Sequence, residues 1–542
     1  MIPGYFVNLA KMPLTPNGKL DRKALPEPVK KAGEGFIGPR DSLEENLTEI
    51  WSGILGIDKD FISMDASFFE LGGHSLKANV LISKIYKELN AIIPLTAIFL
   101  KPRLMDIAEH IRDSEKYKEF RDAIPLAEIY PMPRVIELAG QLKDTARQEF
   151  AFIEPVEKKE YYALSSAQAR LYVMQHMDPA STAYNLPVIL KLEGEVHEEK
   201  LENSFRGLIK RHESLRTSFE TIDDEPVQRV HDNVEFEIEY KDLFMGEQGQ
   251  TRPFGGEGQL SFIRPFDLSK APLMRVGLVR IEENKYELVV DMHHIITDGV
   301  SMGVLVKEFI SLYKGESLLL LRLQYKDYSE WQKREIVEQK GESILRQEAY
   351  WLKEFEIETP VLDLPIDYPK PKVQGFEGRG ERFIVDDKDA QALRVFAREK
   401  GATLYMLLLS IYNIFLARIT HQEMIVVGTP TAGRVHSDLE GIIGMFVNTL
   451  ALKNEPAGEK TIGEFLIEVR EKTLQAFANQ EYQYEDLVKR TAASRDMGRN
   501  PLFDTMFVYQ DLDISKVEIP GLKATPHEYE RDTSKFDLTL EC

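Results

Sequence analysis

The spacing of apolar residues changes near residue 161, and this change limits the folds that the chain can adopt. Before it, apolar residues recur only at the spacing of amphipathic helices. After it, strand-like runs alternate with helical runs over about 380 residues, which exceeds one ordinary hydrophobic core. We therefore predict a multidomain protein: a small all-α bundle, an interdomain linker over residues 113–160, and an α/β region of two lobes.

The small helical part is predicted to hold at least three amphipathic helices. The first follows a capping-box pattern, in which Ser42 and Glu45 stand three residues apart. The second begins near Ser75, and the third begins near Pro102, because proline is favoured at the first position of a helix. Three or four helices of this size form a compact bundle over residues 38–112.

Charge and composition exclude several classes of protein. The 68 Lys and Arg residues against 89 Asp and Glu residues give a net charge of −21, whereas binding to nucleic acid requires a basic face. No secretory signal is recognisable, and the longest apolar run, residues 404–417, is shorter than the roughly 20 residues that span a membrane. The single cysteine, Cys542, permits no intrachain disulfide and no cysteine-based metal site. We expect a cytoplasmic protein that binds no metal, nucleic acid or membrane.

A turn motif near the start of the chain exposes a lysine. The segment Pro16-Asn-Gly-Lys19-Leu-Asp-Arg22 contains an Asn-Gly pair, which favours a tight turn with positive φ. Such a turn presents Lys19 at the tip of a loop. On spacing alone, an ordinary solvent-exposed side chain is the favoured interpretation.

A second motif places a serine at the start of a helix. Gly72 and Gly73 permit a tight turn directly before His74 and Ser75. The N-terminus of a helix offers free N–H groups and the positive end of a dipole, which suits a phosphate ester on the Ser75 hydroxyl. Serine is also among the best N-cap residues, so a purely structural role is the alternative. His74 either orients the phosphate or is a surface histidine.

A third motif, His293-His294-Ile-Ile-Thr-Asp298-Gly299, follows a predicted strand and precedes an amphipathic helix. Adjacent residues of a strand point to opposite sides, so one histidine is expected to face a site while the other packs. We therefore expect no metal shared by the two histidines. Asp298 is placed to cap the helix or to pair with a cation. Two buried histidines without chemistry, a metal site and a structural turn remain as alternatives on spacing alone.

The serine motif carries a family resemblance. The block Phe68-Phe-Glu-Leu-Gly-Gly-His-Ser-Leu-Lys-Ala78, within a helical unit of this size, resembles the peptidyl carrier domain of non-ribosomal peptide synthetases of the tyrocidine type. The resemblance implies that a phosphopantetheinyl transferase attaches 4′-phosphopantetheine covalently to Ser75. It also implies that the thiol of this group carries an aminoacyl or peptidyl thioester.

Residues 1–28 resemble the C-terminal tail of the adenylation domain that precedes such a carrier. In that family, the lysine that matches Lys19 contacts the adenylate. The rest of an adenylation domain is absent from this sequence, so Lys19 is expected to be vestigial and the chain to lack adenylation activity. The adjacent adenylation domain becomes an expected partner, and Met1 an internal residue of a longer protein.

The histidine motif is similar to the active site of condensation domains and of their chloramphenicol-acetyltransferase-like relatives. Six further motifs follow the order of that family. They are found at residues 164–172, 211–219, 325–331, 443–450, 479–485 and 495–504. The resemblance implies an N-terminal lobe at 161–335 and a C-terminal lobe at 336–542, with a tunnel between them. It implies formation of an amide between a carrier-bound thioester and an aminoacyl group on a downstream acceptor carrier.

The resemblance also assigns roles to individual residues. His294 is expected to be the central group, either as a general base or by positioning the amine, with His293 beside it. Asp298 is expected to form an ion pair with Arg434, and Arg170 to support the site as well. The backbone N–H of Gly299 is a candidate donor to the reacting carbonyl.

The end of the sequence and the residues after the histidine motif leave alternatives open. The sequence stops at Phe536–Cys542, so the second lobe is expected to lack its last strand and helix and to expose a sheet edge. An inert acyl carrier without condensation activity is therefore the first alternative. An epimerisation domain is the second alternative, although such domains usually carry a tryptophan where this chain has Ser301-Met302. Heterocyclising domains have paired aspartates that this motif lacks.

Overall fold

A computed structural model of the chain describes most of the residues after position 35. They are residues 36–73, 75–89, 91, 93, 95–113, 153–243, 262–338, 341–357, 361–370, 375–434, 436–491, 499–510, 518–527 and 533–542. The chain divides into two compact units, Met1–Glu128 and Ile129–Cys542. Lys19 and His74 lie outside the described residues.

The described part of the first unit is built mainly from four α-helices. These are α1 (Ser42–Leu55), α2 (Ser75–Leu89), α3 (Leu95–Leu100) and α4 (Leu104–Asp113). Their apolar faces enclose one core in which the Trp51 and Phe68 rings meet edge to face, with their centroids 5.1 Å apart. The predicted bundle is thus present, and α2 begins at Ser75 as expected.

The start of α1 differs from the prediction. Asp41, and not Ser42, is the N-cap, because its carboxylate Oδ1 accepts a hydrogen bond from the Glu44 backbone N–H at 3.0 Å. Glu44 is buried and forms ion pairs with Arg40 and Arg112. The capping box expected from Ser42 and Glu45 was therefore assigned one residue too late.

The described part of the second unit alternates helices and strands. Its helices are α5 (Ser166–Met177), α6 (Glu198–Arg211), α7 (Gly299–Lys314), α8 (Tyr325–Gln332), α9 (Glu342–Glu354), α10 (Asp387–Glu399), α11 (Leu404–Thr420), α12 (Ile462–Ala478) and α13 (Tyr484–Thr491). Its strands are β1 (Tyr162–Ala163), β2 (Asn185–Glu193), β3 (Thr217–Ile222), β4 (Glu225–Val230), β5 (Glu239–Asp242), β6 (Met274–Glu282), β7 (Lys285–His293), β8 (Ile425–Thr431), β9 (Asn448–Asn454), β10 (Thr505–Val508), β11 (Glu518–Ile519), β12 (Leu522–Pro526) and β13 (Leu538–Glu541).

A six-stranded sheet in the order β11-β12-β2-β7-β6-β5 organises the first lobe. Its central strand β7 pairs with β2 over its whole length, from Lys285 opposite Glu193 to His293 opposite Asn185. Every residue of β7 after Lys285 is buried, which is typical of a strand covered on both faces. This strand delivers the two histidines.

A four-stranded sheet in the order β13-β10-β8-β9 organises the second lobe, and a small sheet β1-β4-β3 lies in the first lobe. Strand β12 crosses over, because it pairs antiparallel with β2 of the first lobe, with Ala524 opposite Leu192. Residues 518–526 therefore depart from the expected extent of the second lobe. The backbone pairing of an otherwise open edge of β2 is the physical reason.

No single helix among the described residues is long and apolar enough to span a membrane. The adjacent helices α10 and α11 pass that test of length and composition only as a pair, and they are bent by 103°. Helix α11 contains the longest apolar run of the sequence, and one of its faces is buried. Its outer face exposes Ile411 and about half of the Phe415 side chain.

Candidate active site and carrier site

His293 ends β7, and both nitrogens of its ring have hydrogen-bond partners within the protein. The side chain is fully buried, its Nδ1 accepts a hydrogen bond from the Ile295 backbone N–H, and its Nε2 lies 3.2 Å from Gln175 Oε1. These partners assign the proton to Nε2, because the carboxamide oxygen only accepts. Burial, and then the neighbouring positive charges, lower the pKa of His293 to about 3. His293 is therefore a neutral packing residue.

His294 begins the short 3₁₀ turn after the strand, and its ring is only partly engaged. The backbone N–H donates to the Tyr184 carbonyl at 2.8 Å, and Nδ1 lies 2.8 Å from the Thr297 carbonyl oxygen. A carbonyl only accepts, so Nδ1 carries the proton and Nε2 keeps its lone pair in the neutral ring. The side chain is partly exposed, unlike that of His293. The two adjacent histidines thus have different surroundings, as the strand geometry predicts.

The pKa of His294 is lowered to about 4. Burial is the main cause, and the positive charge of Lys535 is the second, while the hydrogen bond to Thr297 and the charge of Asp298 act in the opposite direction. At neutral pH the imidazole is therefore uncharged. It can accept a hydrogen bond at Nε2, but it is a weak base.

Asp298 joins the turn to helix α7 and to the second lobe. Its Oδ1 accepts from the Ser301 backbone N–H at 2.7 Å, which makes Asp298 the N-cap of α7. Its Oδ2 accepts from the Phe446 backbone N–H at 3.0 Å. The expected ion pair with Arg434 is present, with Nη2 lying 3.2 Å from Oδ1 and both side chains fully buried.

Arg434 has further partners that hold it in place. Its Nη2 donates to Ser301 Oγ at 2.7 Å, its Nη1 donates to the Leu439 and Ile442 carbonyls, and its guanidinium lies 4.0 Å from the centroid of the Phe446 ring. Removal of one partner from a buried ion pair typically costs about 3–5 kcal/mol. The pair is therefore an architectural link between the lobes beside His294.

Gly299 and Arg170 differ in how they relate to the Asp298–Arg434 ion pair. Gly299 is the exposed first residue of α7, a position where backbone N–H groups have no acceptor within the helix. Arg170 on α5 forms an ion pair with Glu485 on α13, at 2.9 Å. The structure thus brings His293, His294, Asp298, Gly299 and Arg434 together through one turn, while Arg170 makes a separate contact between the lobes.

Ser75 lies in the other compact unit, at the first position of α2. The preceding Gly72 has a φ of +90°, and a Cβ on Gly73 would lie 2.3 Å from Phe68 Cδ1. Only glycines fit this turn, which begins the helix at the serine. A hydroxyl residue at a helix N-terminus suits a phosphodiester, so the residues present fit a 4′-phosphopantetheine group.

The sequence analysis assigned no role in the site to three residues that the structure links to the histidine motif. Ser301 links Arg434 to both backbone groups of Gly444, with hydrogen bonds of 2.9 and 3.0 Å. Tyr184 holds the His294 backbone, and Lys535 supplies a positive charge. Only Ser301 had a local signal, since it occupies the third helical position after Asp298. Among the described residues, no group of three or more histidine, cysteine or acidic side chains is arranged to hold a metal ion.

Comparison with known protein families identifies the second unit. The family model of the condensation domain matches residues 158–542, which is more than half of the chain. The chain belongs to the condensation-domain family. A second model, the phosphopantetheine attachment site, matches residues 45–111. Covalent 4′-phosphopantetheine is therefore the cofactor of the carrier region, and the family resemblance seen in the sequence is confirmed.

Relatives of the condensation domain and its carrier are peptide synthetases. The chain is 44% identical to bacitracin synthase 3 of Bacillus licheniformis and 41% identical to gramicidin S synthase 2 of Aneurinibacillus migulanus, in each case over 100% of this chain. It spans only 8% and 11% of the length of these two relatives. Neither the inert-carrier alternative nor the epimerisation alternative gains support from these relatives.

Solved structures support the fold of the condensation domain. A four-domain nonribosomal peptide synthetase, solved with AMP and glycine bound, superposes with a TM-score of 0.64 at 22% identity. The match covers 71% of this chain and 30% of that chain. The expected fold class, a helical carrier region followed by a chloramphenicol-acetyltransferase-like α/β domain, is confirmed.

Proposed function

We propose that the condensation domain forms an amide between the acyl group of a carrier-bound thioester and the amine of a second, carrier-bound aminoacyl group. The observation that carries this proposal is the state of His294, whose Nδ1 is engaged by Thr297 while Nε2 is free of that bond. The family match over residues 158–542 supports the reaction class. In the reaction the C–N bond forms and the C–S bond breaks, and the proton lost by the amine leaves with the thiol.

Between the two candidate roles of His294, the geometry and charge favour positioning of the amine. The α-amine of an amino acid has a pKa of about 7.7–8.0, so part of it is already neutral near pH 7. An imidazole whose pKa is lowered to about 4 is poorly matched to take a proton from an ammonium group. Nε2 therefore accepts a hydrogen bond from the neutral amine and orients its lone pair towards the carbonyl.

The other site residues have supporting roles in this proposal. The Asp298–Arg434 ion pair fixes the turn that carries His294, and Arg170 ties α5 to the second lobe through Glu485. The backbone N–H of Gly299, at the positive end of α7, is placed to stabilise the developing charge on the carbonyl oxygen. His293 fixes the end of the strand by packing.

The carrier region has a complementary role. We propose Ser75 as the attachment residue, with His74 beside it, and a phosphopantetheinyl transferase as the enzyme that modifies it. When bound, the 4′-phosphopantetheine supplies the thiol that holds the acyl group. An adjacent adenylation domain and a downstream acceptor carrier are the proposed partners, with aminoacyl and peptidyl thioesters as substrates.

The proposed domain division follows from the same resemblance. It comprises an adenylation tail at 1–28 that contains Lys19, a carrier at 38–112, a linker at 113–160, and lobes at 161–335 and 336–542. In this division residues 518–526 join the sheet of the first lobe. The single cysteine of the chain supports a reducing compartment, so we propose a cytoplasmic location.

A single-turnover assay tests the proposed function. The full chain, loaded with phosphopantetheine and an acyl group, is mixed with a separate carrier that bears an amino acid, and the amide product is followed by mass spectrometry. We expect transfer by the wild-type chain and near-complete loss with His294→Ala. His197→Ala, at an exposed histidine far along the chain from the motif, is the matched control and retains transfer. Equal transfer by His294→Ala contradicts the assignment.

A further inference from the structure

A lysine of the second lobe reaches the residue that holds His294. The Nζ atom of Lys535 lies 4.6 Å from the centroid of the Tyr184 ring, which is a cation–π contact. The backbone carbonyl of Tyr184 accepts the hydrogen bond from the His294 N–H at 2.8 Å. One aromatic residue therefore connects the Lys535 ammonium to the turn that carries His294.

The backbone around Lys535 is fixed within the second lobe. Its carbonyl accepts a hydrogen bond from Asn500 Nδ2 at 3.1 Å, and the N–H of the preceding Ser534 donates to the Phe376 carbonyl at 2.8 Å. Two residues later, Asp537 N–H donates to the Asp504 carbonyl, and strand β13 follows. The ammonium is thus held from the second lobe against a residue of the first lobe.

The charges around the histidine pair have opposite effects. Lys535 favours the neutral form of both His294 and His293, and Arg275 of β6 acts in the same direction on His293. Asp298, the N-cap of α7, favours the charged form of His294, and its own charge is matched by Arg434. Lys535 is therefore the charge from the second lobe that offsets Asp298 at His294.

We infer that Lys535 is a positioning residue of the condensation site, which holds the Tyr184 ring and brings a positive charge to the turn that carries His294. The inference rests on the proposed function, in which neutral His294 accepts a hydrogen bond from the amine. Because the charge comes from the opposite lobe, its share of the lowering of the His294 pKa depends on contact between the two lobes. A merely structural lysine would affect stability and leave the protonation of His294 unchanged.

Histidine-selective ¹³C labelling of the full chain tests the inference without any substrate. The His294 signal is assigned by its loss in His294→Asn, and its titration is followed by NMR. We expect Lys535→Met to move the titration midpoint of His294 up by about 1 pH unit, since a nearby like charge disfavours the charged imidazole. Lys535→Arg, which keeps the charge, leaves the midpoint in place. Lys489→Met, at an exposed lysine of α13, is the control.

An unchanged midpoint in Lys535→Met, with the remaining histidine signals at their folded positions, overturns the inference. If Lys535→Met loses the folded spectrum and Lys535→Arg keeps it, the titration is repeated with Lys535→Gln. An unchanged His294 midpoint in that variant likewise overturns the inference. The single-turnover rate is the second measurement. With Lys535→Met it falls more steeply towards acidic pH than in the wild-type chain. A wild-type chain that forms no amide contradicts the proposed function and leaves the NMR result standing.

Discussion

The carrier site and the condensation site differ in how far apart in the sequence their residues lie. Ser75 begins a helix directly after two glycines and depends on Phe68 of the same segment. His294 depends on Tyr184, Thr297 and Lys535, and its turn is tied to Arg434 in the other lobe. A site built from one segment is changed by local substitutions, whereas a site built from several elements is also changed by anything that separates them.

The largest expected effect concerns the local site. With coenzyme A and a phosphopantetheinyl transferase, the intact mass of the full chain should rise by one phosphopantetheine group. Ser75→Ala should abolish the gain completely, because it removes the hydroxyl oxygen through which the group is attached at the first position of α2. Ser52→Ala, on the neighbouring helix α1, is the matched control and keeps the gain. A gain that survives Ser75→Ala rules out the attachment residue.

The next largest effect concerns the condensation site, whose residues come from several elements. Asp298→Asn keeps a good N-cap for α7 but leaves the buried Arg434 without its carboxylate partner. We expect a loss of about 3–5 kcal/mol in the free energy of unfolding of the condensation domain. Hydrogen exchange measured by mass spectrometry separates this domain from the carrier region, whose protection should not change. If Asp298→Asn leaves the protection of the condensation domain as it is in the wild-type chain, the ion pair is not architectural.

These two sites also differ in how much of them the sequence predicts. The strand ending at His293, the turn at Asp298 and the helix starting at Ser75 follow from local periodicity and capping chemistry. The roles of the two histidines follow in part, since the strand geometry separates their directions but does not say which one is buried. Arg434 was named only through the family resemblance. Tyr184 and Lys535 were missed, because their contact joins distant segments that no local pattern connects.

The same limit applies to the sheets. The apolar run predicts the position of β7, and its burial on both faces agrees with a place inside a sheet, but the run does not identify β2 as its partner. It gives no sign that β12 leaves the second lobe and pairs with β2. Strand β12 is short and mostly exposed, so its partner is set by an available backbone edge and not by an apolar face.

A buried carboxylate in the carrier region provides a smaller counterpart to Asp298. Glu44 is buried beneath Arg40 and Arg112, and the hydrogen bond from Arg40 is the first cause that lowers its pKa to about 2. Its folded pKa lies below its unfolded value near 4.3, so this stabilisation is present above about pH 4.3 and is lost as the pH falls towards 2.

Glu44→Gln should therefore cost the carrier region stability at pH 7 and little at pH 2. The arginine partners are partly exposed and screened, so we expect about 1–2 kcal/mol, less than for Asp298→Asn. Chemical denaturation of the full chain, followed by hydrogen exchange in α1, measures the change at both pH values. A loss of equal size at pH 2 contradicts the electrostatic origin. Glu45→Gln, at an exposed neighbour, is the control.

The smallest expected effect separates capping from ion pairing within the condensation domain. Thr461 caps α12 through a capping box with Glu464, and it has no buried charged partner. Thr461→Ala should cost about 1 kcal/mol, the usual value for loss of an N-cap. Asp298 also caps a helix, so the larger loss expected for Asp298→Asn must come from the charge, because asparagine retains the cap. Equal losses in the free energy of unfolding at the two positions would mean that the ion pair with Arg434 adds no stability beyond capping. The contrast between a site built from one segment and a site built from several elements would then no longer hold.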